Sequence, residues 1–140
     1  MIHTDIDIKD ALWTWISSST LVSGTQTVNG VSGKVYKDKR PLNSTKEDII
    51  IAVIGRDAES QIQNAIVNVN IYVPDKRRGQ EAIEDIVRLR GLCTLAAGLF
   101  EYHNFGDWIC ELSSQEVIEA GGIDWHIINN RLRLRFNNEQ

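Results

Sequence analysis

Cysteine, proline and methionine are scarce in this chain, with two, two and one among 140 residues. Cys93 and Cys110 form neither a CxxC pair nor a zinc-like spacing, so both are expected to be reduced core thiols, as in a cytosolic setting. No stretch approaches the roughly 20 apolar residues needed to cross a bilayer. The first residues lack the basic start and apolar segment of a secretory signal, so the expectation is a protein made in cytoplasm or assembled there, without a membrane. An excess of basic residues is also missing: the net charge is −4 and the pI about 5.3. That excludes a protein whose main work is coating nucleic acid, while leaving room for a local basic patch.

Signatures of chemistry are absent as well. The glycines build neither a P-loop nor a dinucleotide fingerprint, and Ser17, Ser18 and Ser19 sit in no nucleophile-elbow pattern. His3, His103 and His126 are widely spaced, and pairing His126 with Asp124 or His103 with Asp107 gives no diagnostic metal spacing. The expectation is therefore no catalytic residue, no metal, no cofactor and no enzyme activity.

What the chain does contain is ordinary globular material, 42% hydrophobic and 24% charged, of a length suited to one domain spanning 1–140. Ile8, Leu12, Trp15 and Ile16 recur at helical spacing and predict a helix over residues 7–18, capped by Asp5 or Asp7. Residues 20–33, rich in Ser, Thr, Gly and Asn, read as a loop, and residues 34–37 as a short strand. The apolar run 49–54 predicts a central strand covered on both faces. Residues 65–73 alternate, with Val67, Val69, Ile71 and Val73 on one face and Asn68, Asn70 and Tyr72 on the other. The polar stretch 56–64 between them reads as the tip of a long hairpin.

Apolar residues every three or four positions predict a long helix from Gly79 or Gln80 to about Tyr102, with Gly91 and Gly98 on one face for close approach. Residues 108–112 read as a short strand, 113–120 as either a capped helix start or a strand, and 131–136 as a strictly alternating strand. The expected fold is α+β: a mainly antiparallel sheet of about four to five strands, one long helix packed on it, and a shorter N-terminal helix.

Two features invite a partner. Trp13 and Trp15 stand two apart, so they point to different sides of their helix, and one of them is a candidate contact with another element or subunit. Lys76, Arg77 and Arg78 precede the long helix, while Arg131, Arg133 and Arg135 share one face of the last strand. Like charges on one strand face repel unless carboxylates or phosphates oppose them. Either set is a candidate charged interface, with nearby acids or, in a ring of copies, with DNA phosphates in its lumen.

The order of these elements, with Gly33-Lys34-Val35-Tyr36, Arg40-Pro41, the run from Val67 to Asp75, a long helix and Ile128-Asn129-Asn130-Arg131 before the last strand, resembles the tail terminator (tail completion) proteins of long-tailed bacteriophages and prophages. The likeness spans residues 6–136, and residues 106–122 have no counterpart in it. It implies a structural protein of the virion tail, assembled in the host cytoplasm as a homo-oligomeric, hexameric ring. Such a ring caps the tail-tube protein, stops its polymerisation and faces the head connector protein. Carried onto this chain, the subunit and tube contacts fall on Arg56, Asp57, Glu59 and Gln61 at the hairpin tip, on Asn68, Asn70 and Tyr72, and on Lys76 to Arg78. The alternatives are another head–tail joining or neck protein and, in a different class, a small ligand-binding domain or enzyme of unknown chemistry.

Overall fold

In the computed structural model, residues 4–59, 62–120 and 124–137 are described, with the backbone alone at 56–59, 62, 63 and 137. Helix α1 (Asp5–Ser17) begins at a capping box. The Thr4 hydroxyl accepts from the Asp7 amide, and the Asp7 carboxylate accepts from the Thr4 amide. Thr4, rather than Asp5 or Asp7, is therefore the cap. Ile8, Leu12 and Ile16 are buried at i, i+4 and i+8, each contributing about 1.5–3 kcal/mol by leaving water.

A short helix α2 (Thr20–Ser23), capped by Ser19, interrupts the expected loop. There follow β1 (Val35–Lys37), β2 (Ile49–Glu59) and β3 (Ile62–Pro74). Next come β4 (Lys76–Arg78), β5 (Glu81–Ile83) and helix α3 (Ile86–Phe100). The chain closes with β6 (Tyr102–Asn104), β7 (Trp108–Ala120) and β8 (Trp125–Asn137). Six strands form one sheet in the order β1-β2-β3-β8-β7-β6, and β4 pairs with β5 in a second, small sheet. Among the described residues only β1 with β2 is a parallel pair.

The expected fold needs correction. The chain is mixed α and β but strand-rich, 45% strand against 26% helix, and its main sheet curls into a half-barrel rather than forming a four- to five-stranded platform for one long helix. Most of the error lies between residues 76 and 85. Ala82 and Ile83 share the apolar spacing of α3, yet Gly79, at φ 64°, turns the chain back. Arg78 then pairs with Glu81 as in a two-residue hairpin with glycine in its first central position. The helix therefore starts at Ile86, with Asp85 accepting from the Arg88 amide as its cap. Residues 113–120 also resolve as strand, since β7 stays paired with β8 to Ala120 across one bulge between Leu112 and Ser114. β2 is a penultimate strand, not a central one. Its hairpin with β3 continues past a bulge between Val53 and Gly55 to Glu59 opposite Ile62, so the expected hairpin tip at 56–64 is itself paired strand over 56–59 and 62–64.

One face of the large sheet carries the core. Val67, Val69, Ile71 and Val73 of β3 and Ile128, Leu132, Leu134 and Phe136 of β8 are buried there with Leu89, Leu92, Ala96 and Phe100 of α3. Trp15 takes part in an aromatic cluster at one end, stacked on His103 at 4.5 Å and edge-on to Phe100 at 5.6 Å. Phe105 stacks on Trp108 at 3.9 Å beside it. Gly91 approaches Val28 closely, as a Cβ there would stand 3.2 Å from a Val28 methyl, whereas Gly98 faces open space. Close approach is thus required at only one of the two glycines.

Candidate interface

Among the described residues, no helix lies against the opposite face of the sheet. Cross-strand register sets Asn70 beside Asn129, Asn68 beside Arg131 and Asn64 beside Arg135 across β3 and β8. The Asn129 amide donates to the Asn70 side-chain oxygen at 2.6 Å. The side-chain oxygens of Asn64 and Asn68 are buried and accept no hydrogen bond from described residues. A buried amide oxygen without a donor costs about 1–3 kcal/mol.

Arg131, Arg133 and Arg135 are all exposed on this face. Glu111 of β7 stands opposite Arg133 in register and lies 3.5 Å from Arg135, so the stripe is partly opposed by an acid. Exposed pairs of this kind stabilise by roughly 0–1 kcal/mol.

Tyr72 does share the face of Asn68 and Asn70, but it is not left bare. The Arg40 guanidinium lies 4.2 Å from the centre of its ring and 4.3 Å from that of Trp125. Arg40 is fixed in turn by Asp48 at 3.1 Å and by the carbonyls of Ser44 and Lys46. The loop before β2 thus closes one end of this face, on which Ile50 is also buried.

Lys76, Arg77 and Arg78 form exposed strand β4 rather than a loop. Arg77 reaches Asp124 at 2.7 Å, and Lys76 stands 3.9 Å from Asp85. Asp124 lies seven residues before Arg131, about 23 Å along a strand, so the two basic sets form separate patches. Of the hairpin residues named from the sequence, Arg56, Asp57 and Glu59 are placed in β2 by their backbone, and Gln61 lies outside the described residues.

No protein-family model matches this chain. No curated protein is detectably similar to it either.

His126 pairs with a carboxylate that sequence spacing did not suggest. Its Nδ1 lies 2.6 Å from Asp75, and its Nε2 lies 3.7 Å from Glu84. Asp75 and Glu84 flank the β4–β5 hairpin, so the imidazole ties the base of that hairpin to β8. His103 stacks on Trp15. Among the described residues no group of three His, Cys, Asp or Glu side chains could hold a metal ion, and no helix is long and apolar enough to cross a membrane.

The two edges of the sheet differ. At one edge β1 covers only residues 49–51 of β2, and α1 fastens β1. The Trp13 indole donates to the Val35 carbonyl at 2.9 Å, Lys9 pairs with Asp38, and Lys37 with Asp10. Trp13 therefore serves this chain's own strand. At the other edge β6 covers only residues 109–111 of β7. From 112 to 120, β7 has β8 on one side and, among the described residues, no strand on the other.

Proposed function

We propose that this chain is a structural subunit of a phage tail, a tail terminator that assembles as a ring on the end of the tail tube and presents a surface to the head connector. The observation that carries the reading is the sheet face on which asparagines and arginines line up with, among the described residues, no helix over them. A face of that composition suits contact with other protein subunits better than it suits solvent alone. The order of elements along the chain supports the same reading, and a ring of such subunits is consistent with a net acidic protein that carries local basic strands.

The test is assembly. Purified chain is added to polymerising tail-tube protein, and tube lengths are measured by electron microscopy beside the chain's own solution mass. The reading expects a discrete oligomer, formed alone or on the tube, and tubes that stop growing with the chain at their tips. Tubes that grow unchanged beside a monomeric chain overturn it.

A further inference from the structure

The open part of β7 is regular once the strand has passed its bulge between Leu112 and Ser114. Residues 114–120 pair one for one with residues 131–125 of β8. On their other side no described strand stands, because β6 reaches only to Tyr102, opposite Glu111. The stretch holds no proline and no basic residue, two of the devices that keep an open edge from pairing. Val117 and Ile118 are 42% and 44% exposed, and their register with Ile128 and Ile127 puts them on opposite faces of the sheet.

This stretch is complementary to itself. It is seven residues long, and Val117 is its middle residue. A two-fold axis normal to the sheet at Val117 lays it antiparallel against the same stretch of a second copy. Val117 then meets Val117, Glu116 meets Ile118, Gln115 meets Glu119 and Ser114 meets Ala120, each pair sharing a face as an antiparallel ladder requires. No carboxylate stands directly opposite another. Glu116 meets its own counterpart only on the diagonal, about 7–8 Å away, where both are exposed and screened.

Neighbouring registers are worse. An axis at Glu116 opposes that carboxylate to itself and drives Ala120 against Leu112, beside the end of β6. An axis at Ile118 sets Val117 against Glu119 and leaves only residues 116–120 paired.

We propose that residues 114–120 of two copies of this chain pair across an axis at Val117, joining their sheets into one. Backbone hydrogen bonds along the edge make the contact, and it covers Val117 on one face and Ile118 on the other. A two-fold contact makes a pair and not a ring with unlike ends. The pair is therefore a form of the free chain, and it stands independently of the tail reading.

The test is crosslinking in full-length protein. Val117→Cys and Glu119→Cys are oxidised mildly beside wild type, which carries Cys93 and Cys110 alone, and light scattering after size exclusion gives the mass. Across the axis the two residues at 117 have Cα atoms about 4.5–5.5 Å apart, within disulfide reach. The two at 119, on the same face, lie about 14 Å apart and are out of reach. Val117→Cys should crosslink as a dimer, and Glu119→Cys and wild type should not. Ile118→Glu sets carboxylates opposite Glu116 twice over, so it should raise the dimer dissociation constant about tenfold or more, whereas Ile118→Lys should not weaken the dimer. Circular dichroism establishes that each variant is folded. A wild type that is monomeric at every concentration overturns the pairing. So does a dimer that crosslinks equally at 117 and 119, fails to crosslink at 117, or ignores Ile118→Glu. Tubes that grow unchanged beside a chain paired in this way remove the tail reading and leave the pairing, and a monomeric chain that stops tube growth does the reverse.

Discussion

Arg88 and Glu47 meet fork to fork. The Arg88 Nε and Nη2 donate to the two Glu47 carboxylate oxygens, both at 2.7 Å. The remaining donors reach the Asn29 and Gly30 carbonyls, again at 2.7 Å, and the Ser32 amide donates to Glu47 at 3.0 Å. One side chain on the first turn of α3 thus ties the helix to two stretches of loop. The hydrogen bond to Glu47 is the main cause holding the Arg88 guanidinium above its ordinary pKa, so it stays charged at every usable pH.

Removing one partner leaves the other partly buried without a counter-charge. Arg88→Met should destabilise the chain by about 3 kcal/mol, and Glu47→Gln by somewhat less. The double variant should cost less than the sum of the two. Urea unfolding of the three variants measures the coupling, and strict additivity would show that the pair does not act as a unit.

Asn130 is fully buried on the core face, where its amide donates to the Val69 carbonyl at 3.1 Å and its oxygen accepts from Gln115 at 2.8 Å. Asn130→Asp places a carboxylate against that carbonyl, and burial disfavours its charged form. Near neutral pH it should destabilise by more than Asn130→Ala, by about 3 kcal/mol against about 2. Its stability should recover as pH falls, because the protonated acid can donate to Val69. Melting curves from neutral to mildly acidic pH follow this, and a pH-independent loss would contradict it.

Burial pushes the Cys110 thiol up to about 12, with Glu111 adding to the shift, and burial also raises Cys93. The sign follows from proton binding: above the unfolded thiol pKa of about 8.5 the unfolded chain releases a proton that the folded chain keeps. The stability associated with Cys110 is therefore intact below about pH 8.5 and falls progressively toward pH 12. At pH 8 the native chain should alkylate slowly at Cys110, with a rate that tracks unfolding. Rapid labelling of Cys110 in native protein would show that its burial is wrong.

Trp13→Phe keeps an aromatic ring and deletes the indole donor to Val35. The expected cost is about 1 kcal/mol in thermal or urea unfolding. No change would mean that the hydrogen bond does not fasten β1.

The β2–β3 hairpin, the buried alternation of β3 and the strand character of 131–136 were legible because a period of two over several residues has one physical meaning. The β4–β5 hairpin was not, because Ala82 and Ile83 fit the helix period of α3 and only the positive φ of Gly79 breaks it. The parallel pairing of β1 with β2 left no local mark either. For the candidate interface, the pattern placed Asn68, Asn70 and Tyr72 on one face. It could not show that Arg40 folds back over Tyr72 and Trp125, since that contact spans 32 and 85 positions of sequence. The partnership of Asp75 with His126 was hidden for the same reason.

The fastening of β1 by α1 has a consequence for solubility. A sheet edge left bare recruits strands from any neighbour, including misfolded ones, and can seed fibrils. With Trp13, Lys9 and Asp10 held against Val35, Asp38 and Lys37, the β1 stretch of that edge is kept from indiscriminate recruitment. A chain shortened past Ser17 would lose this guard together with the buried face of its first helix, and it should be recovered as aggregate rather than as a smaller soluble protein.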